Sequence, residues 1–532
     1  MAKTRFILSV MYFLLSISWV CAQNRYMVFF SDKNDSPYSI NTPSQFLSDR
    51  AIERRLKFGI AIDENDIPVN PDYVKGISEM GVDVYYKSRW LNGILIETDA
   101  STVEGLIELE YVSSVRLLAP GNKLSRTART QYEEDLNAMN TSTKEQLNMM
   151  GLNLLHEDGF TGHGMLTAVL DGGFSGINTI QAFTHLYDSN RLVYTYDLVR
   201  NHQNIDAGST HGTRVLSVIA GYKKESYIGS AYNSDYMLFI TEDSDTEYTI
   251  EEYNWLIAAE RADSAGADII SSSLGYFDFD DVSMNYDYSD YDGHTTIIAQ
   301  AADFAAKRGI LVVVSAGNEG GSSWNYITSP ADAEGVISVG SVDLGYNTSL
   351  FSSGGPTADG RLKPELMALG SSTSIISESG NITSASGTSY STPLVAGFAA
   401  CLWQQNPELS AQEVRDLMLK NATRSGNPDN LYGYGVPNYR YIISGVDNEY
   451  EESRFLVYPN PVINDEIHLA TDVSTGKTLL MLYAKDGALL SKETIDFCQN
   501  RDYSMKVNLS KGIYFLQVLD GDKSYYFKVV KY

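Results

Sequence analysis

A hydroxyl becomes a strong nucleophile only when a base takes its proton and a third group orients that base. Ser389 is the residue whose setting best suits such work. It lies in Gly387-Thr388-Ser389-Tyr390-Ser391-Thr392-Pro393-Leu394-Val395-Ala396-Gly397, a small-residue turn that runs into an apolar segment ending at Trp403. The segment is apolar on nearly every side, which predicts a helix buried all round. Pro393 is expected in its first turn, where backbone N–H groups lack partners anyway. Ser389 then sits at a helix N-terminus, whose free N–H groups and positive dipole end suit a developing oxyanion. A buried helix capped by serine, with no chemistry, has the same local pattern, so the base and its orienter must come from elsewhere.

The elements that would supply them alternate in type. Apolar runs bounded by turn residues occur at Met165–Leu170, Tyr236–Ile240, Asp268–Ile270, Ile310–Val314 and Val336–Val339, with helical patterns between them at Glu251–Ala265 and Thr296–Lys307. This alternation predicts a parallel sheet covered on both faces by helices, an α/β fold. Ligand crevices in such sheets lie beyond the carboxyl ends of the strands. Three segments fall there: Asp171-Gly172-Gly173, Ser271-Ser272-Ser273-Leu274-Gly275, and Ser315-Ala316-Gly317-Asn318-Glu319-Gly320. Of the seven histidines, only His211 opens a helix-start pattern of the form Thr210-His211-Gly212-Thr213-Arg214-Val215. His156, His163, His185, His202, His294 and His468 have no such setting.

The serine segment resembles the G-T-S-x-x-T-P-x-V-A-G motif of the subtilisin-like serine proteases, the subtilase family, and the His211 segment resembles the family's H-G-T-x-V motif. The order Asp171, His211, Ser389 is that of subtilisin. The resemblance implies a secreted serine endopeptidase with an Asp171–His211–Ser389 triad, Asn318 in the oxyanion hole, and substrate backbone held along Ser273, Leu274 and Gly275. It also implies a pocket for the residue before the scissile bond, walled by those residues and by Ala316 and Gly317. Gly172 departs from the pattern, because many relatives carry Ser or Thr after the aspartate. The rival reading, a surface adhesin on a subtilase scaffold that has lost catalysis, would show a replaced Asp, His, Ser or Asn, and all four are present. No cofactor is required by this chemistry. An acidic, Tyr-rich insert at Phe277–Asp292 offers hard oxygen ligands of the kind calcium takes, but it lacks EF-hand spacing, so a solvated loop and calcium-independent melting are expected.

At 532 residues the chain exceeds one ordinary domain, and with 43% hydrophobic residues it can bury large cores. Its net charge of −27 argues against nucleic acid or anionic lipid as a partner. Residues 1–22 carry Lys3 and Arg5, an apolar run and Val20-Cys21-Ala22, which together predict a secretory signal peptide; a lipoprotein anchor through Cys21 is the alternative. No later run is long enough to cross a bilayer. Beyond the signal only Cys401 and Cys498 remain, and no disulfide is expected between them.

Residues 24–119 alternate strands and helices in a way that predicts a small α+β, ferredoxin-like sandwich, and the resemblance makes this the propeptide, the chain's own inhibitor. Residues 120–141, polar and carrying Arg126 and Arg129, read as a processing linker. The catalytic domain is expected over 142–445, bounded by the Tyr432-Gly433-Tyr434-Gly435 segment, and a charged linker over 446–455. Short β-type runs between Glu466 and Val530 predict a small all-β sandwich over 456–532. Tyr458-Pro459-Asn460-Pro461, Leu509-Ser510-Lys511-Gly512-Ile513-Tyr514 and the terminal Lys528-Val529-Val530-Lys531 resemble the C-terminal sorting domains of the type IX secretion system of Bacteroidota. That resemblance implies passage through the periplasm, the type IX machinery as a partner, and a secreted or surface-attached product.

Overall fold

The computed structural model describes residues 23–121, 142–444 and 455–531, the last without 464, 472–476, 486, 498–501 and 522. The expected signal segment, nearly all of the processing linker and of the second linker, and Cys498 lie outside them. Two compact units result, one ending at Asn448 and the other beginning at Glu449.

The first unit opens with a four-stranded sheet in the order Asp83–Ser88, Gly93–Thr98, Asn24–Phe30, Val112–Ala119. Helices Pro71–Ser78 and Ala100–Ile107 complete a ferredoxin-like βαββαβ order. Successive residues of a strand face opposite sides, and both sides are used here. Val28, Ile94 and Ile96 pack with Ile77 and Leu106, while Met27, Leu95 and Leu118 join a second core with Phe239 and Trp255.

An extra helix, Asp49–Phe58, sits between the first strand and Pro71–Ser78. Ser48 Oγ caps its start by accepting Ala51 N–H, and Gly59, in the left-handed region at φ 66°, ends it. Its arginines are buried in an ionic network. Arg54 and Arg55 reach Asp263 at 2.6 and 2.7 Å, and Arg55 also pairs with Asp66 at 2.6 Å. Arg89 bonds Asp263, and Arg308 pairs with Asp66 at 2.8 Å. Nearby, Glu260 accepts Ser88 Oγ at 2.5 Å and Arg89 N–H at 3.0 Å. Asp263 and Glu260 belong to helix Ile250–Ala265, so residues 49–90 grip the central domain through charges removed from water.

The central sheet has seven strands in the order Leu366–Leu369, Val336–Val342, Leu311–Ser315, Ile269–Ser272, Leu166–Asp171, Asp235–Ile240, Leu192–Asp197, and every neighbouring pair is parallel. Every residue of Leu166–Asp171, Leu311–Ser315 and Val336–Val342 is buried, as two-sided helix cover demands. Helices His211–Ala220 and Thr388–Gln405 contribute Val215, Ile219, Leu394 and Phe398 to one face, and Ile250–Ala265 with Ile297–Lys307 contribute Trp255, Leu256, Ile298 and Ala302 to the other. The expected helix over Glu145–Glu157 is two helices, Thr143–Met149 and Leu152–Glu157, broken by Gly151 at φ 68°. The edge strands Leu192–Asp197 and Leu366–Leu369 lack the periodic signal of their neighbours, the first because its residues are half-exposed, the second because it is four residues long.

The second unit is all β. Strands Phe455–Ile463, Glu466–Thr471 and Asp502–Lys506 pair antiparallel, as do Leu489–Asp496, Lys477–Ala484, Gly512–Asp520 and Lys523–Lys531 in that order. Phe455–Ile463 passes between the two groups, pairing with Glu466–Thr471 early and with Lys531 at Val462. Phe455, Ile467 and Met505 from one group and Leu480, Leu516 and Val529 from the other share one core.

Candidate active site

The carboxyl ends of three adjacent strands deliver three groups to one edge of the sheet. Leu166–Asp171 ends on Asp171 itself, Ile269–Ser272 is followed by Ser273, and Leu311–Ser315 by Ala316-Gly317-Asn318. His211 and Ser389 come from the first turns of helices His211–Ala220 and Thr388–Gln405. Asp171, His211, Ser273, Leu274, Gly275, Gly317, Asn318 and Ser389 all line a single cleft of about 1100 Å³. Ala316 does not; it is fully buried behind the wall, its N–H bonded to Val339 O at 3.0 Å.

Asp171 is fully buried, and its Oδ1 lies 2.8 Å from His211 Nδ1 while also accepting Gly172 N–H at 2.7 Å. The approach requires glycine at 212, because a Cβ there would fall 2.4 Å from Gly173 O and 2.8 Å from Asp171 Cβ. Asp171 Oδ2 is buried without a hydrogen-bond partner among the described residues. Gly172, the neighbour that departs from the family pattern, brings no hydroxyl to it. At Gly172 a Cβ would meet nothing closer than Glu242 Cβ at 3.4 Å.

Pro393 lies inside helix Thr388–Gln405 and not in its first turn as the sequence suggested. A proline has no N–H for the carbonyl four residues back, here that of Ser389. Ser273 Oγ takes up that carbonyl, donating to Ser389 O at 2.8 Å, while Ser389 Oγ donates to Ser273 O at 3.4 Å. The misplaced proline thus ties the start of the helix to the neighbouring strand. Asn318 Oδ1 accepts both Thr388 N–H and Thr388 Oγ1–H at 2.9 Å. This fixes the amide rotamer, so that its NH₂ is the end left to face a bound oxygen.

The acidic insert is built from caps and rings. Asp281 accepts Ser283 N–H, Asp287 and Asp290 form a capping box, and Asp292 accepts the N–H groups of His294 and Thr295. Phe277 stacks on Trp324 at 5.3 Å, and Tyr288 meets Tyr326 in a tilted contact at 4.2 Å, so the insert backs the cleft wall at Phe277. Two of the other histidines are tied up elsewhere: His156 Nε2 and His185 Nε2 each lie 3.0 Å from backbone oxygens, of Ser230 and Tyr232. Sequence reasoning missed a row of carboxylates on the cleft, Glu242, Asp243, Asp245, Glu247 and Glu251. Their signal was present as an acidic run immediately after the apolar Tyr236–Ile240 strand, at the end where crevices form.

Residues 162–435 match the model of the subtilase family, 25–134 that of the peptidase S8 propeptide domain of Bacteroidota, and 456–532 that of the secretion system C-terminal sorting domain. Among curated proteins, the chain is 31% identical over 318 residues to serine protease AprX of Bacillus subtilis, covering 54% of this chain and 67% of AprX. It is 34% identical over 235 residues to subtilisin DY of Bacillus licheniformis, covering 43% of this chain and 76% of that protein. With subtilisin E of Bacillus subtilis the identity is 31% over 289 residues, 53% of this chain and 67% of the relative. No helix among the described residues is long and apolar enough to cross a membrane. The chain belongs to the subtilase family, the subtilisin-like serine endopeptidases, and carries that family's Bacteroidota propeptide and a type IX secretion sorting domain.

Proposed function

We propose that Asp171, His211 and Ser389 form the triad of this secreted endopeptidase, with Asn318 Nδ2 and the Ser389 N–H as its oxyanion hole. Ser389 Oγ attacks the scissile carbonyl, His211 takes its proton and passes it to the leaving amine, and the acyl-enzyme is then hydrolysed by water through the same base. Asp171 holds the imidazole tautomer and stabilises its charged form. The substrate backbone adds as a strand along Ser273-Leu274-Gly275, a mode with little sequence demand. None of these steps needs a cofactor.

The observation that carries this reading is the 2.8 Å contact of His211 Nδ1 with a fully buried Asp171 on the cleft that Ser389 also lines. The test is steady-state hydrolysis of a peptide by the processed enzyme. Ser389→Ala or His211→Ala should lower kcat by roughly 10⁶-fold, and Asn318→Ala by roughly 10²- to 10³-fold with little change in KM. A loss below tenfold in Ser389→Ala would refute the assignment.

We further assign 1–22 as the signal peptide, 24–119 as the propeptide, 120–141 as the segment cut during activation, 142–445 as the catalytic domain, 446–455 as a linker and 456–532 as the sorting domain. The chain is exported to the cell surface or exterior by the type IX system. Removing residues 456–532 should leave the protein in the periplasm, and export of the truncated chain would contradict the sorting role.

A further inference from the structure

In the mechanism above, the attacked carbonyl lies between Ser389 Oγ and the Asn318 amide. The side chain one bond away from that carbonyl therefore enters the cleft between the two segments that bear on it. One is Ser273-Leu274-Gly275, whose Ser273 O accepts Ser389 Oγ–H at 3.4 Å; the other is Gly317-Asn318. What stands between Gly275 and Gly317 decides which side chain fits.

Thr328 stands there. It is 3% exposed and lines the same cleft. A Cβ on Gly275 would collide with Thr328 Oγ1 and fall 3.0 Å from Thr328 Cβ, and a Cβ on Gly317 would fall 3.0 Å from Oγ1 and 3.1 Å from Cγ2. The threonine side chain thus abuts the backbone of both segments and fills the gap along which a longer substrate side chain would run. Neither glycine puts atoms of its own into that gap, so its depth is set by Thr328.

The floor is pinned on both sides. Thr328 N–H donates to Ala316 O at 3.1 Å, just before Gly317. Ser329 exchanges backbone hydrogen bonds with Tyr276, just after Gly275, at 2.9 and 3.2 Å. Ser329 Oγ also lies 2.6 Å from Thr296 Oγ1 at the cap of helix Ile297–Lys307. Thr328 could withdraw only by parting these bonds. Its own Oγ1 is buried with no hydrogen-bond partner among the described residues, so the side chain acts here through its bulk.

We propose that Thr328 closes the pocket for the residue before the scissile bond and restricts the enzyme to substrates with a small side chain there, of the size of Ala or Ser. The inference rests on the protease reading above and adds the substrate class. An Ala side chain ends at Cβ and stops short of the threonine. A Phe or Leu side chain would have to push Thr328 from between two backbone segments, and close-packed interiors resist such overfilling.

The test compares peptides that differ only at that residue, hydrolysed by the processed enzyme. Wild type should cleave the Ala peptide about 10- to 100-fold faster, by kcat/KM, than the matched Phe peptide. Thr328→Gly should raise the ratio of the Phe rate to the Ala rate by about tenfold or more. Both rates are read on one preparation, so a loss of folded protein cancels from the ratio. Thr328→Val keeps the shape without the hydroxyl and should leave the ratio within about threefold of wild type.

Equal rates of wild type on Ala and Phe peptides, or an unchanged ratio in Thr328→Gly, would overturn the proposal while leaving the protease reading intact. So would loss of the Ala preference in Thr328→Val, because the hydroxyl and not the bulk would then be choosing the substrate. Failure of wild type to hydrolyse any peptide would overturn both readings.

Discussion

The most demanding prediction concerns Asp263. This fully buried carboxylate bonds the guanidinium groups of Arg54 and Arg55 at 2.6 and 2.7 Å and that of Arg89, all supplied by residues 24–119. Asp263→Asn preserves the shape and removes the charge. Arg54, Arg55, Arg89 and Arg308 are then left with Asp66, Glu260 and the half-exposed Asp63, which lies 3.3 Å from Arg308. Breaking a buried pair by removing one partner costs about 3–5 kcal/mol, equivalent to roughly 10²- to 10⁴-fold in a dissociation constant. The assay is inhibition of processed enzyme by residues 24–119 supplied as a separate chain. Asp263→Asn should keep its kcat and lose affinity for this inhibitor by that factor. Arg50→Ala is the control: its side chain is 43% exposed where it pairs with Asp268, so about fivefold at most is expected. Arg55→Met combined with Asp263→Asn should cost less than the sum of the two.

The pH dependence has a definite sign. Burial pushes the Asp66 carboxyl up, but the Arg55 hydrogen bond and the charges of Arg308 and Arg55 outweigh it and hold it below the usual range. A depressed carboxyl contributes stability that is present above its unfolded value and lost as pH falls through its folded one, so the hold of Asp66 on Arg308 of the central domain should persist at pH 5 and weaken only below about 4. An Asp263→Asn inhibition constant within threefold of wild type would refute the view that buried charge, and not the apolar contact of Met27 and Leu118, dominates the association.

Further outcomes follow from single contacts. Gly172→Ser has room for its Cβ and would give Asp171 Oδ2 a donor; kcat/KM should rise by about two- to tenfold, and an unchanged or lower value would show that the orphan oxygen costs nothing. Ser273→Ala removes the donor that serves the Ser389 carbonyl opposite Pro393 and should lower stability by about 1–2 kcal/mol in denaturant unfolding; no change would mean that carbonyl is satisfied another way. Glu242, raised to about 8, favours the folded state most at low pH and loses that contribution as pH rises toward 8. The melting temperature of Glu242→Gln relative to wild type should therefore climb between pH 5 and 9, and a flat difference would contradict the burial of this charge.

Much of the fold was legible because its residues obey one period. Leu166–Asp171 and Leu311–Ser315 read as uninterrupted apolar runs since helices cover both faces. Leu192–Asp197 was hidden because an edge strand half-exposed to water carries Tyr and Thr in place of a core pattern. Pro393 was misplaced by a general rule about first turns; what overrides the rule is a tertiary donor, Ser273 Oγ, that no local pattern reveals. The candidate site was legible through motifs around Asp171, His211, Asn318 and Ser389, each short and locally constrained. The resemblance puts Ala316 in the wall, yet it is fully buried and outside the cleft lining. The acidic insert keeps its capping carboxylates exposed, as expected of a solvated loop, while its rings pack on Trp324 and Tyr326. Capping partners lie two or three residues away and were readable in principle; the ring partners Trp324 and Tyr326 lie far along the chain and were not.

The triad itself is tested most directly by a fluorophosphonate probe followed by peptide mapping of the processed enzyme. Wild type should carry one adduct, on the peptide containing Ser389, and His211→Ala should acquire it far more slowly. An adduct on any other serine, or equal labelling of Ser389→Ala, would contradict the account.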